Sequence, residues 1–96
     1  LQVSLNDLVC VQSANNYVEV HYYLHNELVK KLLRASLQNV ENQLPQLIRV
    51  HRSYLVNPSH FISWKDRKTI QLAELAIPIS NRYRERLEKL VSVRPY

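Results

Sequence analysis

The sequence predicts a mainly β domain with short helices, and three observations carry that prediction. The run Tyr17 to Leu24 is rich in valine and tyrosine, with Val18, Val20, Tyr22 and Leu24 on one parity, which is the period of a strand. Short polar groups, His25-Asn26 and Asp66-Arg67-Lys68, separate β-prone runs at hairpin spacing. Only two stretches repeat apolar residues at helical spacing, and each follows a serine that can cap it.

Taken in chain order, Val9 to Val11 forms a short apolar strand. Tyr17 to Leu24 then turns at His25-Asn26 into Glu27 to Leu33, and Asn26 is the best left-handed residue there because the chain has no glycine. Ser36 caps a helix over Leu37 to Gln43, whose Leu37, Val40 and Leu44 share a face and which Pro45 closes through its missing N–H. Leu47 to His51 is extended, and Tyr54 to Asn57 makes a tight helical turn before Pro58. Phe61 to Asp66 and Thr69 to Leu72 form a second hairpin. A last strand around Ala76 to Ile79 belongs at an edge, because Pro78 cannot donate to a ladder. Ser80 caps the final helix, with Tyr83, Leu87, Leu90 and Val91 on its packed face and Glu85 and Lys89 paired at i,i+4.

Ninety-six residues are enough for one domain with a modest core, and a hydrophobic share of 46% is that of a globular chain. The charge is unevenly placed. Residues 1–48 hold three Lys/Arg against four acids, whereas residues 49–96 hold ten against four, so the whole net charge of +5 comes from the second half. Clustered cations gain by releasing counterions condensed on nucleic acid, although the same charges serve solubility. The single Cys10 lies in the apolar run Leu8 to Val11, where it reads as a small buried hydrophobe, and one cysteine makes no internal disulfide. This points to a reducing, cytoplasmic setting. No apolar run approaches the ~20 residues of a membrane span. A chain that opens on Leu1 and contains no methionine reads as the C-terminal part of a longer protein.

Several kinds of chemistry fit poorly. His21 and His25 stand four apart on a strand, roughly 13 Å between Cα atoms, too far to share a metal. His51 and Ser53 offer a base and a nucleophile, but same-face neighbours on a strand do not aim their tips at one another, and no glycine exists for a nucleophile elbow or a phosphate-cradling loop. No metal, cofactor, small-molecule substrate or enzymatic activity is expected.

What stands out instead is the polarity at segment ends. Asn15-Asn16 follows an apolar strand, which fits a turn as well as a side chain offered to a partner. Arg52 sits between a strand and an apolar Tyr-Leu-Val, where its planar fork suits guanine or a phosphate better than open water. After Ser80, Asn81 and Arg82 occupy the first turn of the final helix, where Asn81 could read adenine or simply start the helix.

These segments occur in a fixed order: Asn15-Asn16-Tyr17-Val18, a serine-leucine helix closed by Leu44-Pro45, the box Arg49-Val50-His51-Arg52-Ser53-Tyr54-Leu55-Val56-Asn57, and Ile77-Pro78-Ile79-Ser80 before a terminal helix. In that order and spacing the chain resembles the LytTR family of bacterial DNA-binding domains. The resemblance implies a single domain over residues 1–96, of small antiparallel sheets with a C-terminal helix, that enters successive major grooves of double-stranded DNA with loops. It implies groove contacts at Asn16, Arg52 and Asn81, with Asn15, His51, Ser53, Tyr54, Asn57, Ser80, Arg82 and Tyr83 supporting them or touching phosphate. It further implies the output domain of a response regulator in a two-component system, bound to paired direct repeats, dimerising on DNA through the full-length protein, and preceded by a receiver or sensor domain that is sometimes membrane-anchored.

Three departures from the family pattern bear on these expectations. Asn81 stands where the family often has arginine, with Arg82 one place later, which leaves the base preference there open. Leu47 stands where an aromatic is common, and the first strand reads as short or truncated. Two other functions remain open on the sequence. The basic half could meet an acidic partner as a β-rich protein-interaction module. Tyr17, Tyr22 and Tyr23 could stack RNA bases, though they alternate between faces and lack the glycine-aromatic pattern of such platforms.

Overall fold

A computed structural model describes residues 3–91. Strands β1 (Leu8–Ala14), β2 (Tyr17–Leu24) and β3 (Glu27–Leu33) run as consecutive hairpins, helix α1 (Leu37–Gln43) follows, and β4 (Ile48–His51) and β5 (Tyr54–Val56) complete a five-stranded antiparallel sheet of order β3-β2-β1-β5-β4. Strands β6 (Phe61–Asp66), β7 (Thr69–Leu72) and β8 (Leu75–Pro78) make a separate three-stranded antiparallel sheet, and α2 (Asn81–Val91) ends the described chain. The mainly β class with a C-terminal helix is therefore the observed one.

Tight turns replace glycine with residues that tolerate a left-handed backbone. His25 and Asn26 both have positive φ, 51° and 65°, the pair of angles a two-residue hairpin of this twist requires. Ser36 accepts from the Asn39 amide at 3.1 Å and so caps α1 as its sequence predicts. The expected cap at Ser80 takes a different form. Its Oγ is buried without a partner, while its carbonyl accepts from the Tyr83 amide at 3.0 Å.

The five-stranded sheet is covered on both faces, and this explains its least legible parts. One core joins Val9, Cys10, Ile48, Val50 and Val56 to Trp64, Ile70, Leu72, Ile77 and Ile79 of the small sheet and to Leu87 of α2. A second lies on the opposite face, where Leu8, Val11, Val18, Val20, Tyr22 and Leu55 meet Leu37 of α1 and Leu47. A break in register between Leu8 and Cys10 lets four consecutive residues of β1 be buried, adjacent Val9 and Cys10 in the first core and Leu8 and Val11 in the second. The first strand thus extends well past the predicted Val9 to Val11, to Ala14.

The segment Tyr54 to Asn57 is not a helical turn. Tyr54–Val56 is strand β5, paired with both β1 and β4, and the tight turn comes later, as a 3-10 turn over Pro58–His60. Adjacent Leu55 and Val56 are both fully buried because each faces a different core, so the stretch shows no alternation to read. In α2, Leu87 is fully buried as predicted but Leu90 is half exposed. The Pro78 strand β8 does lie at a sheet edge.

Burial also sets the acid–base behaviour of the strands. The Cys10 thiol is pushed up to about 12, first by burial and then by the nearby Glu19 carboxylate, which keeps it a neutral core side chain. Burial lowers His21 below its ordinary 6.5 even though its Nε2 lies 2.9 Å from Glu19, so at neutral pH this contact is a hydrogen bond from a neutral ring. Because the unfolded ring takes up a proton that the folded ring resists, stability is full above the ordinary histidine range and falls as pH drops through about 6.5 toward the folded value. We expect His21→Gln to flatten the stability–pH curve in that window. Urea midpoints measured from pH 7.5 to 5 check this, and parallel curves for the two proteins would remove His21 as the cause.

Candidate nucleic-acid interface

Pairing of β1 with both β2 and β5 carries two loops to one end of the large sheet. The β1–β2 turn holds Asn15 and Asn16, and the β4–β5 turn holds Arg52 and Ser53; Gln12 faces Tyr54 across the ladder, and the Ser13 amide donates to the Ser53 carbonyl at 2.9 Å. A third loop joins them because the Ser80 amide donates to the Val50 carbonyl at 2.9 Å, which sets the start of α2 beside the strand that leads into Arg52. Asn16, Arg52 and Asn81 are all exposed. Three stretches separated by up to 65 positions in the chain are thus gathered at one end of the fold.

The supporting residues divide by role. Asn15 takes the left-handed angle of its turn, φ 58°, and remains exposed. His51 is half-buried; its Nδ1 accepts from the Ser53 amide at 3.1 Å and its ring meets Tyr54 edge-on with centroids 5.8 Å apart. Ser53 is itself half-buried in the turn that this bond closes. Arg82 is exposed with its guanidinium 5.5 Å from the centroid of the half-buried Tyr83 ring, which presents both at the helix start.

Asn57 belongs elsewhere. It is buried, its Nδ2 donates to the Leu5 and Leu8 carbonyls at 3.0 and 2.8 Å, and its Oδ1 accepts from the amide and hydroxyl of Ser59 at 3.1 and 2.8 Å. With its hydrogen-bonding groups engaged inside the fold, it is a scaffold residue and neither supports the loops directly nor touches phosphate.

Arg49 is a residue that sequence reasoning left without a role. Its Nη2 bonds Glu41 Oε1 of α1 at 2.8 Å and its Nη1 donates to the Arg52 carbonyl at 2.8 Å. The arginine fork therefore braces the β4–β5 turn against α1 from behind, which holds Arg52 in one geometry and lowers the ordering cost of any contact it makes. Arg49 stands eight residues from Glu41 with a helix end between them, a separation that no local pattern reveals.

An apolar cleft of about 460 Å³ between α1 and the sheet is lined by residues such as Leu5, Val11, Val40 and Gln43 and includes no charged group. It offers no acid, base or metal ligand, and it is not the place where the polar loops converge. Among the described residues no cluster of three His, Cys, Asp or Glu is placed to hold a metal, and no helix is long and apolar enough to cross a membrane.

Comparison with known proteins meets this geometry at the family level. The family model described as the LytTr DNA-binding domain matches residues 1–92. The chain belongs to the LytTR family of DNA-binding domains. Among solved structures it is similar to a LytTr DNA-binding domain from Bacillus cereus, described as part of a methyl-accepting/DNA response regulator, with a TM-score of 0.77 and 22% identity over 97% of this chain and 88% of that one. At that identity the likeness establishes a shared LytTR fold. No curated protein matches the chain.

Proposed function

We propose that this LytTR domain binds double-stranded DNA in a sequence-specific manner as the output domain of a bacterial transcriptional response regulator, one copy to each of two direct repeats. The convergence of Asn16, Arg52 and Asn81, exposed on two turns and at the start of α2 at one end of the fold, is the observation that carries the reading. Arginine and asparagine can each form two hydrogen bonds with the major-groove edge of guanine or adenine, while neighbouring Arg82 and the amide-rich helix start suit phosphate.

Asn15 and Tyr83 flank the reading loops, and His51 and Ser53 hold the middle one in shape. In this scheme Asn81 reads an adenine, and Asn81→Ala is expected to relax discrimination at one A·T position with little change at the others. A base-by-base binding profile checks this, and an unchanged profile removes the adenine assignment.

In vitro selection of duplexes from a random library, followed by affinity across a salt series, tests the function as a whole. Two short repeats spaced by about one helical turn, bound with steep salt dependence, are the expected result. Weak, sequence-blind binding would favour the protein-interaction module instead. The exposure of Arg52 and Asn81 leaves both side chains open to a groove. RNA stacking is opposed by the placement of the tyrosines. Tyr22 is buried in one core, Tyr23 packs against the other and lies near the His60 ring, and Tyr17 alone of the three is exposed.

A further inference from the structure

The tip of the β6–β7 hairpin, Asp66-Arg67-Lys68, reads in the sequence only as a turn, yet the fold carries it to the same end as the three loops. The Ile79 amide donates to the Lys68 carbonyl at 2.7 Å, and the next amide, that of Ser80, donates to the Val50 carbonyl at 2.9 Å. Two consecutive hydrogen bonds therefore tie the hairpin tip on one side and the strand entering Arg52 on the other to the segment that opens α2.

Lys65, Arg67 and Lys68 are all exposed, and none joins an ion pair among the described residues. Their sequence neighbour Asp66 spends one oxygen on the fold, since its Oδ1 accepts from the Lys68 amide at 2.8 Å and closes the turn. The next acid in the chain, Glu74, lies at the opposite end of β7. Three cations within four residues repel one another in water, and a polyanion relieves that repulsion.

We infer that Lys65, Arg67 and Lys68 form a phosphate-binding site that extends the DNA contact from Arg82 across the small sheet, a proposal that rests on the DNA-binding reading above. Its chemistry is that of position and not of base choice. Flexible cationic stems on a hairpin tip track a backbone that offers one charge per ~1.7 Å of duplex, whereas the braced turn at Arg52 supplies a fixed geometry for a base edge.

The test compares the wild-type domain with Arg67→Gln/Lys68→Gln on its selected duplex and on an unrelated one, measuring affinity against salt. These exposed substitutions leave the turn-closing bond to the Lys68 backbone in place. Each lost phosphate contact is expected to make the slope of log affinity against log salt less negative by about 0.9, giving about 1.8 for the pair, with both duplexes weakened by the same factor. Adding Lys65→Gln should remove a further increment. Lys30→Gln/Lys31→Gln, on the far edge strand β3, removes equal charge and should leave the slope nearly unchanged.

An unchanged slope in Arg67→Gln/Lys68→Gln at an unchanged urea midpoint overturns the proposal while leaving the DNA-binding function intact. So does an equal effect from the β3 pair, which would reduce the result to net charge. Failure of the wild-type domain to bind any duplex removes the underlying function and this site with it.

Discussion

Arg52→Ala is expected to weaken binding to the cognate duplex by about 1–3 kcal/mol, roughly 5- to 150-fold, with a smaller loss on unrelated DNA. The size follows from how the side chain is presented. Arg52 is exposed, so its removal costs the fold almost nothing, but the turn beneath it is fixed three times: by Arg49 Nη1 on its own carbonyl, by His51 Nδ1 on the Ser53 amide, and by the Ser13 amide on the Ser53 carbonyl. A side chain on a pre-set turn loses less entropy on binding, and more of its interaction appears as affinity. Arg52→Lys should recover little of the loss, because an ammonium lacks the planar fork that matches guanine O6 and N7. Titrations on both duplexes decide the matter, and an equal loss on each would demote Arg52 to a phosphate contact.

Asn57→Ala has the larger effect on stability, with an expected loss of about 2–4 kcal/mol out of the 5–15 kcal/mol typical of a domain. Four side-chain hydrogen bonds are removed at once, and the Leu8 carbonyl is left buried without the amide that satisfied it. Those bonds tie the start of β1 to the connection after β5, a link spanning about half the chain. Asn57→Asp should not rescue the fold, since a carboxylate cannot donate to the Leu5 and Leu8 carbonyls. Urea unfolding with an unchanged m-value measures the loss, and a shift below about 0.5 kcal/mol would show that the network contributes little. The folded fraction of the variant should still bind DNA normally, which separates its scaffold role from the phosphate role the family resemblance implied.

The two residues show how a conspicuous motif mixes different jobs. In the box from Arg49 to Asn57, Arg52 points outward, Arg49 braces the turn from behind, His51 closes it, and Asn57 is buried beneath the sheet. Nothing in the order of residue types distinguishes the exposed arginine from the one that is structural. The difference lies in Glu41, which meets only one of them.

The sequence by itself determined the elements whose information is local. The β2–β3 hairpin, α1 with its Ser36 cap, and the strands from Phe61 to Asp66 and Thr69 to Leu72 all lie where periodicity, capping and turn residues place them, because each depends on contacts only a few positions apart. The family motif likewise singled out Asn16, Arg52 and Asn81, and the structure leaves all three exposed. Tertiary structure alone decided the rest. Strand β5 and the length of β1 depend on a sheet buried on both faces, which erases alternation, and the gathering of three loops and a basic hairpin at one end depends on single hydrogen bonds such as Ser80 to Val50 and Ile79 to Lys68. A local pattern records which face of a segment is apolar, whereas a long-range hydrogen bond joins backbone groups that every residue carries and so leaves no mark in the side chains.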